Sequence, residues 1–198
     1  MSEPVDPETR TRSLRHGTQL EWTTLGWNVV GVVVLGYLAV TASSVALAGF
    51  GLDSFIEIGA STVVLWELSG TGAARQRRAL RLIGVAFIAL AVYLTAQSAV
   101  ALVTEHHAAH TVAGIAWTAI TAVVMFVLAA GKGRAGRSLG NPVLIAEGRV
   151  TFIDGLLAVA VLLGLALNFA FGWWWADPLA GFVIVYYAIR EAVHIFRA

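Results

Sequence analysis

The chain has 198 residues, 58% of them hydrophobic and 13% charged, with a formal net charge of +1. Soluble domains carry about 25% charged residues and roughly 45–50% apolar ones, so an ordinary cytosolic globule is excluded, as is a disordered chain, which needs the opposite bias. The near-neutral balance provides no overall attraction to nucleic acid, and the absence of cysteine removes disulfides, thiolate metal sites and cysteine nucleophiles.

Residues 1–20 are polar, with Pro4, Pro7, Arg10, Arg12 and Arg15, and are expected to form a cytoplasmic tail that is mobile up to Gln19. Residues 21–198 then read as one all-α membrane domain of six transmembrane helices. Six spans of ~20 residues use about 120 positions, which leaves too little chain for a second folded domain. The spans run from about Trp22 to Ser43, Val45 to Trp66, Leu82 to Thr104, Thr111 to Gly131, Pro142 to Phe171 and Pro178 to Phe196. Ala46-Leu47-Ala48 looks like a signal cleavage site, but the apolar run before it is too long for a signal peptide and another span follows directly.

Basic residues set the expected orientation. Arg10, Arg12 and Arg15 lie in the tail, Arg75, Arg77, Arg78 and Arg81 between the second and third spans, and Lys132, Arg134 and Arg137 between the fourth and fifth. The other three connections have no Lys or Arg. Positive charge stays inside, so both termini are expected in the cytoplasm, in agreement with an even number of spans in a cell inner membrane. Trp173, Trp174 and Trp175 suit an outer interface, and Asp177 ahead of Pro178 suits a helix start. His106, His107 and His110 form an outer-loop cluster whose unspecified geometry reads as solvated rather than metal-binding.

Three acids stand inside the spans, where a charge costs at least ~2.5–3.5 kcal/mol. Asp53 and Glu57 lie one helical turn apart on the second span and share a face. Asp154 lies near the middle of the fifth, at a depth similar to that of Glu57 by residue count. Arg149, the arginine within the first five spans, faces away from the Asp154 stripe and is expected to meet Glu67 or the cytoplasmic interface; it cannot neutralise three acids. Crowded carboxylates have two stable states, protonated and empty or deprotonated around a cation. That is the physics of proton-coupled cation exchange, and an all-oxygen ligand set leans towards manganese, iron(II) or magnesium. Glu147 and Thr151 share the Asp154 face and are candidates for an entrance or proton pathway; Asn28 is a candidate accessory ligand. Gln97, Tyr93 and Asn168 read as contacts between helices. Asp53-Ser54-Phe55-Ile56-Glu57 also resembles Val150-Thr151-Phe152-Ile153-Asp154, a weak sign of an internal repeat.

Taken together, Ser44-Val45-Ala46-Leu47, Gly51-Leu52-Asp53-Ser54-Phe55-Ile56-Glu57-Ile58-Gly59-Ala60-Ser61, Ala146-Glu147-Gly148-Arg149-Val150-Thr151-Phe152-Ile153-Asp154 and Trp175-Ala176-Asp177-Pro178-Leu179-Ala180 resemble the cation diffusion facilitator transporters, from about Leu20 to Phe196. The resemblance implies export of a divalent metal ion (zinc commonly, with manganese, iron(II) and cobalt as candidates) in exchange for protons, by a homodimer with alternating access and no permanently bound cofactor. It implies Asp53, Glu57 and Asp154 as metal ligands. Val150 stands where the family has a fourth ligand, His or Asp, and the family's C-terminal cytoplasmic domain has no counterpart here. Val150 favours the rival reading, a non-transporting membrane protein that binds metal or a partner on the same scaffold. No enzyme is expected, since there is no His-Glu-x-x-His or Gly-x-Ser-x-Gly run.

Overall fold

The computed structural model of the chain describes residues 7–42, 45–70, 72–105 and 112–197. Six helices follow one another: α1 (Pro7–Ala42), α2 (Val45–Leu68), α3 (Ala73–Val103), α4 (Val112–Leu139), α5 (Pro142–Phe171) and α6 (Ala176–Arg197). Among the described residues there is no strand. Among the described residues four helices, α1, α3, α4 and α5, are long and apolar enough to cross a membrane. The histidine cluster at 106–110 lies outside the described residues, as does the side chain of Asp177.

The helices overrun the apolar segments at their polar ends. Arginine, alanine and leucine are good helix formers, so a helix continues past the hydrophobic stretch until a breaker stops it. Thus α3 starts at Ala73 and takes in Arg75, Arg77, Arg78 and Arg81, and α4 runs on through Lys132, Arg134 and Arg137. These residues are helical, not loop. Arg75 reaches back to the end of α2, where its guanidinium donates to the Trp66 carbonyl and to Ser69 Oγ and lies 4.3 Å from the Trp66 ring centre. A cation there suits the negative end of the helix. The turn after α4 uses Gly140 at φ 60°, which a side chain would strain.

The expected tail is also helical from Pro7 onwards. The buried face of α1 begins at Gly17 and continues through Glu21, Thr24, Asn28, Gly31, Leu35 and Leu38, one stripe at three- and four-residue spacing. A Cβ at Gly17 would come within 2.9 Å of Leu144, so this turn is docked on the start of α5.

Helix α4 packs against α5, α1 against α2 and α3 against α6; α1·α4, α2·α3, α2·α5, α3·α5 and α5·α6 contacts close the bundle. The centre is α5, whose apolar window is 61% buried against 33–39% for α1, α3 and α4. Small residues let it sit there. A Cβ at Gly148 would lie 3.1 Å from the Gly133 nitrogen and 3.3 Å from the Ala129 oxygen, so α4 and α5 touch backbone to backbone. At its start, Asn141 accepts from the Val143 and Leu144 amides at 2.9 and 3.1 Å, ahead of Pro142.

Candidate functional site

Helices α2 and α5 run antiparallel and face each other with their polar residues in register. Glu67 accepts from the Asn141 amide at 3.0 Å, Ser61 donates to Glu147 Oε1 at 3.3 Å, and Thr151 Oγ1 donates to Glu57 Oε1 at 2.6 Å. The next step of the same register brings Asp53 and Asp154 close enough for their carboxyl groups to interact. Each step down α2 is matched by an equal step back along α5, because both helices rise ~1.5 Å per residue; the buried apolar Val64 and Leu144 separate the Glu67–Asn141 contact from the rest. The seam extends over roughly 20 Å, from Glu67–Asn141 to Asp53–Asp154.

All three predicted ligands are buried, with Asp53, Glu57 and Asp154 exposed by 2%, 2% and 3%. Their pairing differs by one turn from the expected one: Asp154 faces Asp53, and Glu57 faces Thr151. Counting from segment ends carries an error of a turn, and the packed register removes it. Among the described residues no three His, Asp or Glu side chains form a group that could hold a metal ion as they stand. Glu57 has its Oε1 held by Thr151. Its Oε2, Asp53 Oδ2 and both Asp154 oxygens receive no hydrogen bond from the protein. Carboxylate oxygens without donors are costly in a low-dielectric interior, and they are also what a proton or a hard cation would satisfy.

Two residues of this network, Lys132 and Glu21, are not legible as site residues in the sequence. Lys132, expected in a cytoplasmic loop, projects from α4 into the seam and is fully buried. Among the described residues it is the one buried basic side chain. Its Nζ lies 2.9 Å from Glu147 Oε1, 2.9 Å from Thr151 Oγ1, 3.1 Å from Glu21 Oε2 and 4.0 Å from Glu57 Oε1. Glu21, on α1, was passed over for the same reason: both residues lie just outside the apolar windows. The available signal was helical spacing, since Glu21 falls on the same stripe as Thr24 and Asn28.

The accessory candidates divide. Thr151 and Glu147 belong to the Lys132 network, so they adjoin the acids. Asn28 is buried, and its amide donates to the Thr24 carbonyl of its own helix at 3.0 Å. Arg149 pairs with Glu191 at 2.9 Å on a partly exposed face, rather than with Glu67. Val150 is buried in the apolar core beside the seam. The two similar pentapeptides orient alike, with Ser54 and Thr151 buried and Phe55 and Phe152 exposed.

A family model described as the cation efflux transmembrane domain matches residues 81–198. The match takes in Lys132, Glu147, Thr151 and Asp154 and leaves α1 and α2, with Asp53 and Glu57, outside, so it is shorter than the resemblance drawn from about Leu20. No curated protein matches the chain.

Proposed function

This chain belongs to the cation efflux family, and from that membership we propose that it exports a divalent metal ion from the cytoplasm in exchange for protons. Proteins of this family are transporters rather than enzymes, and this one is a multi-pass membrane protein. In the proposed arrangement α1 to α6 all span a cell inner membrane, both termini are cytoplasmic, and the working unit is a homodimer. Asp53, Glu57 and Asp154 bind the ion, with zinc, manganese, iron(II) and cobalt as candidate cargoes.

The observation that carries this reading is the set of buried carboxylate oxygens on facing helices with no donor from the protein: Glu57 Oε2, Asp53 Oδ2 and both oxygens of Asp154. Inside a membrane such groups are functional by default, because idle ones are expensive. Protons and a divalent ion satisfy the same oxygens, so they compete, and that competition couples opposite flows across an alternating-access cycle. A carboxyl–carboxyl contact such as Asp53–Asp154 suits the protonated state, which needs one shared proton. The metal-loaded state needs Glu57 to join the pair.

The rival, a non-transporting binding protein, is favoured by Val150, whose buried side chain supplies no fourth ligand. Flux in proteoliposomes under an imposed pH gradient separates the two, with zinc, manganese, iron(II) and cobalt tested in turn. Gradient-driven flux lost in Asp154→Asn is the expected result. Folded wild-type protein that moves none of these ions, or a mutant with wild-type flux, overturns the transport assignment.

A further inference from the structure

We infer that Lys132 is a tethered competitor of the transported ion: its ammonium, acting through the Thr151 hydroxyl, holds Glu57 away from the Asp53–Asp154 pair, and cargo binding requires Glu57 to leave it. This rests on the proposal that those three acids bind the ion.

The geometry specifies the tether. Thr151 Oγ1 accepts from Lys132 at 2.9 Å and has a single proton, which it donates to Glu57 Oε1 at 2.6 Å. An ammonium that polarises this hydroxyl strengthens the second bond, since charge-assisted hydrogen bonds are roughly twice as strong as neutral ones. Glu57 therefore has one oxygen committed to the Lys132 side and one, Oε2, without a donor. Lys132 is itself anchored from the other side by Glu21 and Glu147, on α1 and α5. With its own helix α4 the lysine thus ties three elements together midway along the seam, and Glu57 is the member that both the tether and the acid pair can claim.

The consequence is a carboxylate with two resting places about a helical turn apart. Beside Lys132 it leaves the acid pair short of a ligand, which lowers affinity and lets cargo go. Beside Asp53 and Asp154 it completes the site. A fixed positive charge 4.0 Å from Glu57 trades binding strength for release, so Lys132 is a positioning residue rather than a ligand.

Calorimetric titration of the detergent-solubilised full chain with zinc and manganese chlorides tests this. Lys132→Gln is expected to bind about tenfold tighter than wild type, an ordinary size for coupling between two sites, and to transport more slowly at saturating metal because release is hindered. Thr151→Val changes no charge and removes the bridge, so it is expected to bind severalfold tighter, while Thr151→Ser restores wild-type affinity. A merely structural role for either residue leaves affinity unchanged or weaker, and that outcome in either folded variant overturns the inference. If Lys132→Gln does not fold, Thr151→Val decides alone. Wild-type binding abolished by Asp154→Asn but unaffected by Thr151→Val sinks the tether and leaves the metal site standing. No binding to wild type removes both.

Discussion

At the scale of single residues, two ion pairs within one turn of α5 illustrate how environment decides worth. Glu147 pairs with Lys132 where both are wholly buried, whereas Arg149 pairs with Glu191 at side-chain exposures of 44% and 23%. Removing one partner of a buried pair leaves a desolvated charge and costs about 3–5 kcal/mol. An exposed pair is worth roughly 0–1 kcal/mol. Lys132→Ala, which leaves the buried Glu21 and Glu147 without their cation, is therefore expected to lower stability by about 3–5 kcal/mol, and Arg149→Ala by no more than about 1 kcal/mol, in denaturant unfolding of the detergent-solubilised protein. Equal losses would contradict the assignment of Lys132 to the interior. The exchange of Glu67 for Glu191 as the partner of Arg149 follows from the same packing: Asn141 takes Glu67, and α6 brings Glu191 to the outer face of α5.

At the scale of elements, α5 organises the bundle, and its start and its contact with α4 are the points most sensitive to change. Asn141 caps the helix and also holds Glu67 on α2. Asn141→Ala is expected to cost about 1 kcal/mol for the cap. Gly136, near the end of α4, faces the first turn of α5, and a Cβ there would stand 2.9 Å from the Ile145 nitrogen and 3.2 Å from the Leu144 carbonyl carbon. Backbone cannot yield as a side chain does, so Gly136→Ala is expected to lose about 1–3 kcal/mol by overpacking. The same unfolding measurement checks both, and a neutral Gly136→Ala would mean that α4 and α5 lie farther apart there.

At the scale of the whole molecule, the helix pairs enclose a polar seam that leads from Glu67–Asn141, at the arginine-bearing ends of α3 and α4, to the acid pair. In the proposed orientation, with the arginine-bearing ends cytoplasmic, this orders the seam from entrance to site. The proposed orientation places the end of α3 outside and the end of α4 inside. Because the chain has no cysteine, single cysteines report this cleanly. Thr104→Cys, at an exposed position beyond α3, is expected to react with a membrane-impermeant maleimide in intact cells. Ser138→Cys, exposed near the end of α4, is expected to react only after permeabilisation. The reverse pattern would turn the protein over in the membrane and reverse the proposed direction of export.

Composition and hydropathy alone were enough for the membrane class and for the helical elements, because burying a backbone in lipid demands helices and a hydrophobic stretch of fixed length. The burial of Asp53, Glu57 and Asp154 was legible as well, since a charge in an apolar run stands out against its neighbours. Helix ends were not, because hydropathy marks where lipid begins while helix propensity runs past it, so the sequence alone assigns the arginines of α3 to a loop and the first turns of α1 to a tail. Only tertiary structure decided the pairing of the acids, through the register of α2 on α5, and only packing brought Glu21 and Lys132 inward. A lysine at the polar end of a helix looks solvated in one dimension; three neighbouring helices that each present a carboxylate make it interior.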